Sequence, residues 1–162
     1  MQKALDLRSS LLSRQTYSFS LDVTADFDET VFCFSVDCLA KPDGVQMTLT
    51  APETISGIKA YCADDGPGVL FDDTRVSLGE LAEGNLTPLE APYLLRKAME
   101  KEYIQCTGPD ADRLRITYLL GYGDREITLD VWLDENTNVP VYAEFTYEGR
   151  SVVRADITSF QV

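Results

Sequence analysis

From Tyr17 to Leu49, and again from Leu114 to Ile157, apolar residues recur at every second position, and this alternation restricts the fold more than any other feature. Successive side chains on a strand point to opposite faces, so each run builds one apolar and one polar face. Tyr17, Phe19, Leu21 and Val23 alternate with Ser18, Ser20, Asp22 and Thr24. Val31 to Leu39 carries Phe32, Phe34, Val36 and Cys38 in register. Lys41, Pro42, Asp43 and Gly44 then supply turn chemistry, so Val45, Met47 and Leu49 should return antiparallel. Pro52 and Gly57 punctuate a connection before a strand with Ile58, Ala60 and Cys62; Val69 to Phe71 and Arg75 to Leu78 read as a hairpin around Asp72, Asp73 and Thr74. After a break at Thr107, Gly108 and Pro109 comes a second meander. Leu114, Ile116, Tyr118 and Leu120 lead through a turn at Gly121 to Asp124 into Ile127, Leu129, Val131 and Leu133. Val139, Val141, Ala143, Phe145 and Tyr147 follow, then Val153, Ala155 and Ile157, with Phe160 out of step and a bulge expected near Thr158.

Roughly ten strands with one wet face each do not suit a sheet buried on both sides by helices, and a sheet that wide tends to curl. Something apolar must fill the concavity. The best candidate is the segment Thr87 to Glu102, where Ala91, Leu94, Leu95, Ala98 and Met99 share one helical face and Arg96, Lys97, Glu100 and Lys101 lie on the other. Thr87, Pro88 and Glu90 have the spacing of a cap, a first helical residue and a capping-box acid. Pro92 would clash with the carbonyl of Pro88 inside a regular helix, so the first turn should be irregular or 3₁₀ and the α-helix should begin near Ala91. A shorter helix is expected over Gln2 to Ser13, with Ala4, Leu7 and Leu11 inward. The expected architecture is α+β: a strongly curved antiparallel sheet, a half-barrel, with one or two helices over its concave face, in one domain spanning residues 1–162.

The chain is long enough to build a core without disulfide or metal staples. Acidic residues number 27 against 14 basic, a net charge of −13, and a field of that sign repels phosphate backbones and anionic head groups. Nucleic-acid binding and broad electrostatic docking to membranes are therefore not expected. No apolar run approaches a membrane span, and the first residues lack the apolar centre of a leader peptide, leaving either a cytosolic protein or a sequence that begins after a removed leader. Cys33 and Cys38 share a strand about 16 Å apart and cannot pair with each other; buried free thiols are expected for Cys33, Cys38, Cys62 and Cys106.

Little in the sequence suggests catalysis. Histidine is absent, which removes Ser-His and Cys-His pairs, histidine metal sites and the commonest general base. The acidic pairs Asp64 with Asp65, Asp72 with Asp73, and Asp110 with Asp112 lie in turn-like stretches where Asp serves the backbone, and no spacing marks a two-carboxylate site. Asp134, Glu135, Asn136, Thr137 and Asn138 begin like an EF-hand loop, but Val139 and Phe145 stand where Gly and the bidentate Glu are required, so a hairpin loop is expected. Asn85 heads a glycosylation-type triplet that carries no weight alone. Trp132, Tyr61 and Tyr142 fall on polar faces, where they cover cross-strand neighbours or form a partner surface.

Taken in order, a helix, a meander, APETISGI, the helix LTPLEAPYLLRKAM and a meander containing LDENTNVPVYAEF give a chain that resembles the LolA, LolB and LppX-like lipoprotein-carrier superfamily, and particularly its Gram-positive extracytoplasmic lipoprotein relatives. The resemblance implies a half-barrel with helices across its mouth, and a cavity that holds lipid acyl chains in the better-known members. It also implies an extracytoplasmic location and membrane attachment only through a lipid anchor outside this sequence. No catalytic residue, cofactor or metal comes with it. The expected function is therefore that of a non-enzymatic, monomeric domain binding or carrying a lipid or other apolar ligand between sheet and helix. Phe19, Phe34, Met47 and Phe145 would line the concave face, with Leu94, Leu95 and Met99 on the helical lid. The alternative is a structural or protein-interaction module whose concavity is filled by its own side chains.

Overall fold

The computed structural model describes residues 1–66, 68–71, 74–75 (backbone), 81, 86–121 and 126–162. The chain opens with α1 (Gln2–Leu12), whose Ala4, Leu7 and Leu11 are buried while Leu5 and Leu12 face water. An N-terminal meander follows: β1 (Tyr17–Asp26), β2 (Val31–Lys41), β3 (Gly44–Ala51), β4 (Lys59–Ala63), β5 (Val69–Phe71) and β6 (Thr74–Arg75). A 3₁₀ turn (Pro88–Glu90) runs into α2 (Ala91–Lys101), and a C-terminal meander ends the chain: β7 (Tyr103–Asp110), β8 (Arg113–Leu119), β9 (Ile127–Asp134), β10 (Pro140–Tyr147) and β11 (Arg150–Gln161).

Among the described residues, eleven strands form one antiparallel sheet in the order β6-β5-β4-β3-β2-β1-β11-β10-β9-β8-β7. Each meander is sequential, and the pairing of β1 with β11 joins them at the centre. The free edges are therefore β6 and β7, which flank α2 in the chain. A flat sheet would place β4 and β7 about 38 Å apart, at about 4.8 Å per strand. Yet Arg96 of α2 reaches Asp64, just past β4, while the same helix ends two residues before β7. The whole of α2 is only about 16 Å long. That span is met only if the sheet curls strongly, and α2 then closes the gap between its two halves. The half-barrel expected from alternation is the observed fold.

Burial follows the alternation closely. Tyr17, Phe19, Leu21, Val23 and Ala25 on β1, Phe34, Val36, Cys38 and Ala40 on β2, and Ile127, Leu129, Val131 and Leu133 on β9 belong to one contiguous core with the buried faces of both helices. The bulge lies at Thr158, since Leu21 pairs with Ile157 while Ser20 pairs with Ser159. This shift returns Phe160 to the apolar side, where its ring stacks 5.9 Å from Phe19. On the polar side, Ser20 donates to Asp37 and Ser35 to Asp22, and Trp132 packs on its cross-strand neighbour Tyr142 while its indole N–H donates to Asp110.

Four expectations need correction. Thr107, Gly108 and Pro109 are not a break but part of β7, an edge strand with one hydrogen-bonded neighbour; an edge tolerates proline and needs no apolar alternation. Thr74 belongs to β6 rather than to the turn before it, and the remainder of that turn, Val76 to Leu78, Asn85 and most of the Gly121 to Asp124 turn lie outside the described residues. Only two thiols are buried: Cys38 and Cys62 face the core, whereas Cys33 and Cys106 are exposed, because an odd spacing along β2 puts Cys33 opposite Cys38. Arg96 and Glu100, expected in water, are buried.

Candidate functional site

The lid begins as its sequence requires. Thr87 and Glu90 cap each other reciprocally, Pro88 starts a 3₁₀ turn, and regular α-helix begins at Ala91 with Pro92 in its first turn, where a missing N–H costs nothing. Ala91, Leu95, Ala98 and Met99 then face the sheet at 1% exposure or less, the two alanines allowing close approach of the axis.

Of the seven residues expected at a ligand site, Phe19, Phe34, Met47, Leu95, Met99 and Phe145 are each exposed by 2% or less and belong to the same core cluster. Leu94 is half-buried at the margin, where with Cys62, Asp64, Glu90 and Tyr93 it lines an open pocket of about 400 Å³. The sheet and lid thus bring six of the seven into one apolar interior and leave the seventh at its rim.

Three polar features of this interior have no obvious mark in the sequence. The first is a buried ionic cluster on the flank of α2. Arg96 donates through Nη1 to Asp64 at 2.7 Å, through Nε to Glu100 at 3.1 Å and through Nη2 to the Pro42 carbonyl at 3.4 Å, and the Tyr17 hydroxyl donates to Glu100 at 2.9 Å. Burial opposes the Arg96 charge, but Glu100 and Asp64 outweigh it and hold the guanidinium above its ordinary value. Burial, with Glu100 adding to it, pushes the Tyr17 phenol well above its usual range, so Tyr17 stays a neutral donor. The cluster ties lid, β1 and the β2–β3 turn together. Its one sequence signal is the i, i+4 spacing of Arg96 and Glu100.

The second feature joins the helices. Arg8 of α1 donates through Nε to the Met99 carbonyl at 3.0 Å and through Nη2 to Ala98 at 3.0 Å and Glu102 at 2.6 Å. These are carbonyls at the C-terminal end of α2, where intrahelical partners run out and a cation is favoured. No local sequence pattern connects residues so far apart in the chain.

The third is Tyr118 on β8. It is fully buried, yet its hydroxyl makes no hydrogen bond among the described residues. Desolvation pushes its phenol up to about 12, with the Arg8 charge acting in the opposite direction. A buried donor in this condition is rare in folded proteins, and leaving it so costs about 1–3 kcal/mol.

The candidate metal loop is occupied by its own backbone: one Asp134 oxygen accepts from the Asn136 and Thr137 amides and the Thr137 hydroxyl, holding that carboxyl below its ordinary value. Among the described residues no cluster of three or more ligating side chains is placed to hold a metal ion, and no helix is long and apolar enough to cross a membrane.

No family model matches the sequence, and no curated protein matches it. Among solved structures, the chain is similar to an uncharacterized conserved protein from Thermus thermophilus, at 12% identity over 99% of this chain and 85% of that one, with a TM-score of 0.48. It is similar to a LolA superfamily protein from Nitrosomonas europaea at 12% identity, over 99% and 92% of the two chains and with a TM-score of 0.44. Similarity to the Mycobacterium tuberculosis lipoprotein LppX is of the same order, at 15% identity, 99% and 92% coverage and a TM-score of 0.43.

Proposed function

We propose that this chain is a non-catalytic, extracytoplasmic domain that accommodates a lipid or other apolar ligand between its curved sheet and its helical lid, acting as a binder or carrier. The observation that supports this most directly is Tyr118, a buried hydroxyl with no hydrogen-bond partner among the described residues. A ligand carrying a polar atom along an apolar body would satisfy it. The lid is held both by its apolar face, Ala91, Leu95, Ala98 and Met99, and by polar ties at Arg8 and Arg96. Extracytoplasmic placement comes with the resemblance of the sequence to the lipoprotein carriers. The absence of histidine from the chain favours a binding role over acid–base chemistry.

The competing reading is a filled-core interaction module. What favours it is the near-complete burial of Phe19, Phe34, Met47, Leu95, Met99 and Phe145 against protein. Native mass spectrometry of gently purified protein, followed by organic extraction, separates the two. The carrier reading expects an additional mass that organic solvent releases as an apolar compound. A bare protein mass with nothing extractable, from cells and from lipid-supplemented medium alike, overturns it in favour of the filled core.

A further inference from the structure

At the end of the interior where α1 runs out, a second cavity of about 280 Å³ opens between α1, α2 and the β2–β3 turn, bounded by Leu11, Arg14, Tyr17, Lys41, Arg96 and Glu100. Its charge is out of keeping with the protein. In a chain of net charge −13, three cations line this cavity with a single carboxylate, Glu100. That carboxylate is already engaged, accepting from Tyr17 and Arg96. Arg96 also has Asp64 as a partner just outside the cavity wall. No ion pair among the described residues engages Arg14, which is exposed, or Lys41, which is half-buried. Two cations outside any ion pair among the described residues therefore line a cavity that is also bounded by the buried, hydrogen-bonded Arg96 and by Leu11 at the end of α1.

We infer that this cavity is a subsite for the anionic head group, a carboxylate or phosphate, of a single-chain amphiphile, held by Arg14 and Lys41 over the Arg96 wall with its chain leaving along Leu11. The inference rests on the carrier reading and adds to it a second polar contact for the ligand, since Tyr118 is not among the residues that bound this cavity. Size agrees, since the cavity falls just below the range of sites that enclose a whole small molecule and suits a head group with the first few methylenes. Charge agrees as well. An anion entering here meets uncompensated positive charge, whereas the rest of the surface repels it. Arg14 supplies a planar fork that matches either oxyanion, and Lys41 a mobile point charge.

Calorimetric titration of the full chain with dodecanoate, dodecyl phosphate, dodecanol, acetate and inorganic phosphate tests the inference. The expected result is binding of both anionic amphiphiles about tenfold tighter than dodecanol at low salt, a margin that shrinks as salt is raised. Arg14→Gln and Lys41→Gln should each cut that margin severalfold, and the double variant should abolish it. Equal binding of dodecanol and dodecanoate by the unaltered protein, or a margin that survives the double variant, overturns the inference and leaves the carrier reading standing. Acetate or phosphate binding as tightly as the chain-bearing anions makes the cavity a free-anion site and overturns it too. Failure of all five to bind removes the carrier reading along with it.

Discussion

Arg96 on the lid helix and Asp64 just past β4 lie 2.7 Å apart, with only 4% of the arginine side chain exposed, and this pair ties the lid to the N-terminal half of the sheet. Removing one member of a buried ionic group costs about 3–5 kcal/mol, chiefly because the remaining charge is left uncompensated. Asp64 retains 28% exposure and can rehydrate, whereas Glu100 cannot, so Arg96→Met should fall toward the lower end of that range. Urea unfolding followed by tryptophan fluorescence measures it. Arg96→Met with Glu100→Met should recover part of the loss, and adding Tyr17→Phe should recover more, because the phenol no longer seeks its acceptor. If the single, double and triple variants are equally destabilised, the cluster acts through shape rather than charge.

Arg8 joins α1 to the opposite end of the lid through three backbone carbonyls. Hydrogen bonds to a charged donor are worth about 1.5–3 kcal/mol each when measured singly, but these share one side chain and are part-exposed. Arg8→Ala should therefore cost roughly 2–3 kcal/mol in total. Hydrogen exchange should locate the effect: amides of α1 and of Ala98 to Glu102 lose protection, while those of the β1 and β11 pair keep theirs. Arg8→Lys should rescue little, since an ammonium cannot reproduce the fork.

The contrast between these two arginines shows where sequence reasoning succeeds in this fold. Strand faces, the Thr87 cap, the 3₁₀ entry at Pro88 and the bulge at Thr158 are local: each follows from residues within a few positions, and each is found. The strand β7 is hidden because an edge strand with neighbours on one side needs no regular apolar face, and Gly108 and Pro109 suggest a break. Arg96 and Glu100 have polar side chains on the helical face opposite Leu95, so periodicity assigns them to water. Their burial depends on Pro42 and Asp64 arriving from another part of the chain. Helical amphipathicity predicts which side faces the sheet but not which further elements flank the helix. Six of the seven proposed ligand-facing residues point inward, as their alternation and helical spacing predict. Tyr118 reads in the sequence as one more strand residue, since nothing local distinguishes a satisfied hydroxyl from an orphaned one.

The four thiols should separate cleanly by reactivity. Cys33 and Cys106 are exposed, while desolvation pushes the Cys62 thiol up to about 11 and that of Cys38 higher still. Only the thiolate reacts, so at pH 8 a chromogenic disulfide reagent should label two thiols quickly in the folded protein and the other two only after denaturant is added. Raising the pH to 9.5 should leave Cys38 protected. Mapping the labels by peptide mass checks the assignment. Rapid labelling of Cys38 in native buffer would mean that the core opens easily, which would favour a breathing, ligand-accepting interior over a sealed one.

Tyr118 gives the sharpest separation between a carrier and a filled core. In the ligand-free protein its hydroxyl is desolvated without a partner, so Tyr118→Phe should leave stability unchanged or raise it by about 1–3 kcal/mol in urea unfolding. If a ligand's polar atom meets that hydroxyl, the same substitution weakens retention, and the amount of apolar compound extracted per mole of protein should fall severalfold while the fold is intact by circular dichroism. The two readouts thus move in opposite directions under the carrier reading. Under the filled-core reading only the first moves. A loss of stability in the extracted protein would contradict both, because it would require a partner for the Tyr118 hydroxyl within the protein itself.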